Sequence, residues 1–189
     1  YVLHEIPYAN DGTLTYELLI ERINSDLANI LGNLVNRTIA MNKKYFDNIV
    51  VKGSDRTEFD DELINLVIST KDTVDKYMDE LKVPEALDAI MEIFKRCNKY
   101  IDETTPWILA KDENGREKLK TVIYNLLESI RIGAILLSPF LPDTSEEIFR
   151  QLNTSINSID TTTSFGHLVE GSKLNDPVPL FKRIEKTTE

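Results

Sequence analysis

Three residues of this 189-residue chain have the types and spacing to hold a planar polar ligand: Asn33, Arg37 and Trp107. Asn33 and Arg37 are four positions apart in a helical pattern, so they project from one face, opposite the apolar stripe. The amide offers a donor and an acceptor and the guanidinium a fixed fork of donors, so the pair can hydrogen-bond the edges of unstacked bases or hold phosphates. Trp107 is the single tryptophan and directly follows Pro106 at the break between two helices. An indole at a loop on the end of a bundle is a platform on which a base stacks, an interaction of ~1–3 kcal/mol per base. A preceding proline restricts the turn, so less entropy is lost when the ring is engaged. By spacing alone the same residues describe a polar helix face with a solvated arginine and a core tryptophan, and both readings stay open.

Other chemistry is hard to assemble. The two histidines, His4 and His167, fall near opposite termini, both expected to be poorly ordered. No phosphate-cradling glycine loop, paired-cysteine motif or Ser-His-Asp arrangement occurs. Glu146 and Glu147 are neighbours on a helix and point about 100° apart; compensation of charge at a helix start explains them. Cys97, the one cysteine, lies on an apolar helical stripe and reads as a buried, inert thiol, so no metal or disulfide is expected. A net charge of −10 argues, taken whole, against a nucleic-acid partner. The distribution weakens that objection. Between residues 33 and 56, Arg37, Lys43, Lys44, Lys52 and Arg56 face only Asp47 and Asp55, whereas residues 57–92 hold eleven carboxylates and three lysines. Lys43, Lys44 and Lys52 are therefore candidates for contacting a phosphate backbone, and the acidic stretch reads as a solvated helix face.

The elements that must position these groups are helical. Ile23, Leu27, Leu31, Leu34, Thr38, Met41 and Tyr45 recur at steps of three and four and predict a long first helix from Ile20. Leu63 to Leu81 gives a second. A third starts at Pro84 and stops at Thr104-Thr105-Pro106, where a tight turn should hold Trp107. Leu119 to Leu137 predicts a fourth helix, apolar on so much of its circumference that it belongs at the centre. A capping box of Asp143 and Glu146 is expected to open a fifth, ending near Leu152. The sum is an all-α, up-and-down bundle of about five helices over residues 16–152. Residues 1–15, with an Asp11-Gly12 turn, read as a connector from a neighbouring domain. Residues 153–189 read as an irregular, loop-rich C-terminal tail packing on the bundle, with at most a short strand or turn around Pro179 to Ile184. The longest apolar run, Ile132 to Leu137, is far short of the ~20 residues of a membrane span, and no signal segment opens the chain, so a cytoplasmic location is expected.

Four blocks carry a family likeness: Glu21 to Arg37 (ERINSDLANILGNLVNR), Tyr100 to Lys111 (YIDETTPWILAK), Leu137 to Phe149 (LSPFLPDTSEEIF) and Pro177 to Ile184 (PVPLFKRI). The sequence resembles the C-terminal, anticodon-binding part of bacterial methionyl-tRNA synthetase, a class I aminoacyl-tRNA synthetase, over nearly its whole length. The third block is shared with synthetases for leucine, isoleucine and valine; the first two are specific. The resemblance implies contacts to the cytosine-adenine-uracil anticodon of methionine tRNA from the positions matching Asn33, Arg37 and Trp107, with the tryptophan stacking on a base. It also implies a catalytic domain before Tyr1 that carries ATP, Mg²⁺ and the family's zinc, and no cofactor in residues 1–189. Two alternatives remain, the equivalent bundle of another class I synthetase and a helical protein-interaction module with an apolar groove.

Overall fold

The computed structural model describes residues 1–6 and 15–185; the Asp11-Gly12 turn expected in the connector lies outside them. A short helix, α1 (Val2–Glu5), precedes a long rod made of α2 (Tyr16–Arg22), a π-wound segment (Ile23–Gly32) and α3 (Asn33–Phe46). Thr15 caps the rod, its Oγ1 accepting from the Leu18 N–H at 3.2 Å. Backbone angles stay right-handed at both joints, −60°/−44° at Ile23 and −65°/−38° at Asn33, so the winding changes without a break. The expected first helix thus begins four residues earlier than Ile20, and its middle is wider than an α-helix. Apolar steps of three and four do not separate the two windings. The rod stops at Asp47 and Asn48, with φ of 52° and 65°, residue types that tolerate the left-handed region better than most.

Four further long helices follow: α4 (Asp60–Asp79), α5 (Val83–Thr104), α7 (Arg116–Leu137) and α8 (Pro142–Leu152), with the one-turn α6 (Pro106–Leu109) between α5 and α7. With the rod they make the expected all-α bundle, α5 packing on α4 and α7, and α7 on α8. Every residue of α7 from Val122 to Leu137 is buried, which puts this helix at the centre. Gly133 allows the close approach of α5: a Cβ there would lie 2.6 Å from Cε1 of Phe94. None of the described helices is long and apolar enough to cross a membrane.

Several local expectations are corrected. No capping box opens α8; its cap residue is Leu141, without a side-chain hydrogen bond, and Pro142 starts the helix with its preset φ. The tight turn at Pro106 is a helical turn, entered through Thr105 at φ 42°. Asp60, in the acidic stretch, is not solvated: it is fully buried and accepts hydrogen bonds from the Thr57 N–H (2.9 Å) and hydroxyl and from Tyr100 Oη (2.6 Å). The other end of that bond is fixed by Asn125, whose Nδ2 donates to Tyr100 Oη at 3.2 Å, so the start of α4, the end of α5 and α7 are joined.

The tail contains no strand among the described residues, only a 3₁₀ turn (Ile159–Thr162) and an isolated antiparallel bridge between Ile49 and Lys173. It is nonetheless firmly tied down, contrary to the reading of a poorly ordered terminus around His167. Glu128 and Arg131 form an ion pair of 2.7 Å with both side chains wholly buried. Glu128 also accepts from the N–H groups of Gly166, His167 and Leu168, and Arg131 donates to Ile156 O, Thr161 O and Thr161 Oγ1. Burial alone would raise the Glu128 carboxyl, but the Arg131 hydrogen bonds and charge, aided by the tail N–H groups, hold it below its ordinary value. Leu168 and Leu174 bring the tail into the core. His4, at the other terminus, is bonded to Asp88 at 3.0 Å.

Candidate nucleic-acid interface

Helical periodicity divides α3 cleanly. Leu34, Val35, Thr38, Ile39 and Asn42 are buried, while Asn33, Asn36, Arg37, Ala40 and Lys44 are exposed. Positions 33, 37, 40 and 44 form one stripe down the outer face. The Asn33 amide has no hydrogen-bond partner among the described residues, so its donor and acceptor face outward unused.

Trp107 reaches this stripe from α6. Pro106 is buried and Leu109 packs against the core, which pins the turn and leaves Trp107 and Ile108 facing out, 39% and 57% exposed. The Arg37 guanidinium carbon lies 5.5 Å from the centroid of the Trp107 ring, within cation–π range. Asp102, near the end of α5, approaches the guanidinium with Oδ1 3.9 Å from Nη2. Both side chains of that pair are well exposed, so it orients Arg37 with little energy and leaves its donors largely available. The arrangement is a half-buried indole, a guanidinium beside it and an amide one helical turn away on the arginine's stripe. It can stack one planar ring and hydrogen-bond that ring's edge or an adjoining phosphate.

The three candidate lysines are placed differently from one another. Lys44 continues the Asn33–Arg37 stripe, with Nζ 5.2 Å from the centroid of the Tyr45 ring. Lys43 is bonded to Asp176 of the tail at 2.6 Å. Lys52 donates to Gly166 O at 3.2 Å and lies over the Tyr124 ring, so it too is engaged with the tail. Sequence reasoning missed Asp102, although it stands inside the Tyr100–Lys111 block. It also missed a cleft between the end of α3 and the α6–α7 connection, lined by Tyr45, Lys111 and Arg116. Only the fold brings those three together.

Outside this face, burial shifts two groups toward their neutral forms. Cys97 is buried and its thiol is pushed up to about 12, first by burial. Burial and then the hydrogen bond to Asp60 push the Tyr100 hydroxyl upward. No group of three or more histidines, cysteines or carboxylates able to hold a metal occurs among the described residues.

Residues 50–189 match the family model described as the anticodon binding domain of methionyl tRNA ligase, a span that includes Trp107 and leaves out Asn33 and Arg37. The methionine–tRNA ligase of Clostridium acetobutylicum is 50% identical over 185 residues, which is 98% of this chain and 29% of that relative. The Bacillus subtilis methionine–tRNA ligase is 45% identical over 194 residues, all of this chain and 29% of the relative. The chain therefore spans less than a third of these relatives. Among solved structures, apo methionyl-tRNA synthetase of Mycobacterium tuberculosis superposes with a TM-score of 0.90 at 30% identity, covering 97% of this chain and 38% of that one. By its sequence and its fold, the chain belongs to the family of methionyl-tRNA ligase anticodon-binding domains.

Proposed function

We propose that the Trp107–Arg37–Asn33 face binds the anticodon loop of methionine tRNA and reads its cytosine-adenine-uracil triplet. Trp107 supplies the stacking surface for one splayed base. Arg37 and Asn33 bond the edge of that base or the sugar-phosphate beside it, and Lys44 meets the backbone further along the stripe. Lys43 and Lys52 contribute weakly, since each already has a partner in the tail. Catalysis, with ATP, Mg²⁺ and zinc, is assigned to a separate domain of the parent ligase, which this bundle serves in the cytoplasm by selecting the tRNA.

The observation that carries this reading is the half-exposed Trp107 ring with the Arg37 guanidinium 5.5 Å from its centroid, on the stripe of α3 that also holds Asn33, whose amide has no partner among the described residues. A packing role would seal the indole, and a merely solvated arginine would not lie against it. Trp107→Ala removes the platform, so its affinity for a stem-loop bearing the methionine anticodon is expected to fall by about 5- to 150-fold, the equivalent of ~1–3 kcal/mol. Fluorescence anisotropy with a labelled hairpin measures it. Unchanged affinity, with the fold intact by circular dichroism, would refute the proposal.

A further inference from the structure

The cleft beside the Trp107 face combines apolar, aromatic, cationic and carboxylate side chains. It measures about 220 Å³ and lies between the C-terminal end of α3 and the α6–α7 connection. Leu109 and Leu119 provide apolar surface and Tyr45 an aromatic ring, so the walls suit a flat ring system. At that size it holds less than the ~300 Å³ of the smallest drug-sized pockets, enough for one ring system and not for a whole dinucleotide.

Its polar groups come in both kinds. Lys111 and Arg116 have no carboxylate within ion-pair distance among the described residues, and the Arg116 guanidinium is held 5.9 Å from the centroid of the Phe46 ring. Lys44 adds a third such cation over Tyr45. Asp112 and Glu113 supply acceptors; one Asp112 oxygen is taken by the Asn114 N–H at 3.0 Å, leaving its other oxygen and Glu113 without partners among the described residues. A base that offers an exocyclic amine to a carboxylate and a ring acceptor to a cation satisfies both, which describes cytosine, adenine and guanine but not uracil.

Tyr45 lies eight residues beyond Arg37 on α3, about 12 Å along the helix axis. The chain runs straight from Trp107 through Leu109 into the cleft wall. A single strand leaving the Trp107 platform along the Asn33–Lys44 stripe crosses that distance in a few nucleotides, with Lys44 at its phosphates.

We propose that this cleft receives a second unstacked base of the same RNA, one carrying an exocyclic amine, stacked against Tyr45 and bonded by Arg116. The inference rests on the anticodon-loop reading and gives a second base of that loop a binding place separate from the Trp107 platform.

The test compares wild type with Tyr45→Ala, Tyr45→Phe, Arg116→Gln and Trp107→Ala by anisotropy. The probe is a methionine-anticodon hairpin, taken intact and with one abasic nucleotide at each loop position in turn. Tyr45→Ala is expected to weaken the intact hairpin about 5- to 150-fold, Tyr45→Phe to bind normally and Arg116→Gln to weaken it. One abasic position, different from the one that silences Trp107→Ala, should make Tyr45→Ala indistinguishable from wild type. Should Tyr45→Ala melt below the assay temperature, Arg116→Gln decides, and wild-type affinity there overturns the inference. Weakening by Trp107→Ala alone, or both variants being silenced by the same nucleotide, overturns the second base and leaves the first reading standing. If no variant weakens binding, both fall.

Discussion

The buried ion pair at the centre of the molecule gives the sharpest prediction about what holds the tail on. Two side chains with no exposed surface, Glu128 and Arg131, share two hydrogen bonds, and each makes three more to the tail. Removing one partner of such a pair leaves an uncompensated buried charge and costs about 3–5 kcal/mol. The two deletions are not equivalent. Arg131→Leu leaves a carboxylate that retains three N–H donors and can shed its charge by taking a proton, whereas Glu128→Leu strands a guanidinium that cannot be neutralised, together with three unpaired backbone N–H groups. Glu128→Leu therefore belongs at the upper end of the range and Arg131→Leu at the lower. For a chain of this size, about 2–4 °C is lost per kcal/mol. The melting temperature should fall by roughly 6–12 °C for Arg131→Leu and roughly 10–20 °C for Glu128→Leu. The double leucine variant should not recover wild-type stability, because the tail's own polar groups would still lack partners. Thermal melts followed by circular dichroism, with limited proteolysis to report release of residues 153–185, measure both effects. A fall below about 1 kcal/mol for Glu128→Leu, or the reverse ranking of the two variants, would refute this account of the pair.

Two further outcomes follow from the core. The Glu128 carboxyl is held below its ordinary value of 4.5, so its contribution to stability is complete above that pH and is lost as the pH falls through the folded value; urea midpoints of wild type and Glu128→Gln should differ at neutral pH and converge well below 4.5. Gly133→Ala puts a Cβ 2.6 Å from the Phe94 ring and forces α5 and α7 apart; a loss of about 1–3 kcal/mol in urea unfolding is expected, and no loss would show that the ring moves freely.

Long-period information was legible in the sequence. Apolar steps of three and four located α4, α5 and α7 to within a few residues, and the wide apolar face of the Leu119–Leu137 stretch identified the central helix, because burial on all sides leaves a mark at every position. What was not legible depends on partners remote in the chain. The charges of Glu128 and Arg131 look like a solvated i,i+3 pair until the tail folds over them. Asp60 is one acidic residue among eleven in its stretch, and only Tyr100, forty residues on, distinguishes it. The same holds for the site. Asn33 and Arg37 share a face by local geometry, but that Trp107 stands against Arg37 is a tertiary fact, and so is the meeting of Tyr45 with Arg116. Pro106 was a signal for a break, not for the helical turn that aims the indole outward.

The net charge of −10 turns out to be a poor guide to this surface, for a reason visible in how the charges pair. Among the described residues, most cations away from the α6 end are matched with a nearby carboxylate: Lys71 with Asp75, Lys82 with Glu80, Arg150 with Glu147, Arg96 with Glu62 and Glu103. Those around the Trp107 face are not so matched; Lys44, Lys111 and Arg116 lie over aromatic rings or beside the cleft, and Arg37 has only a long, exposed contact with Asp102. The acidic surplus is carried elsewhere. A phosphate arriving at the face meets Arg37, Lys44, Lys111 and Arg116 against Asp102, Asp112 and Glu113, four cations to three carboxylates, a small positive balance in a chain whose net charge is −10. The proposed interface needs no basic protein, only a small set of cations that the fold holds over aromatic rings instead of in close ion pairs.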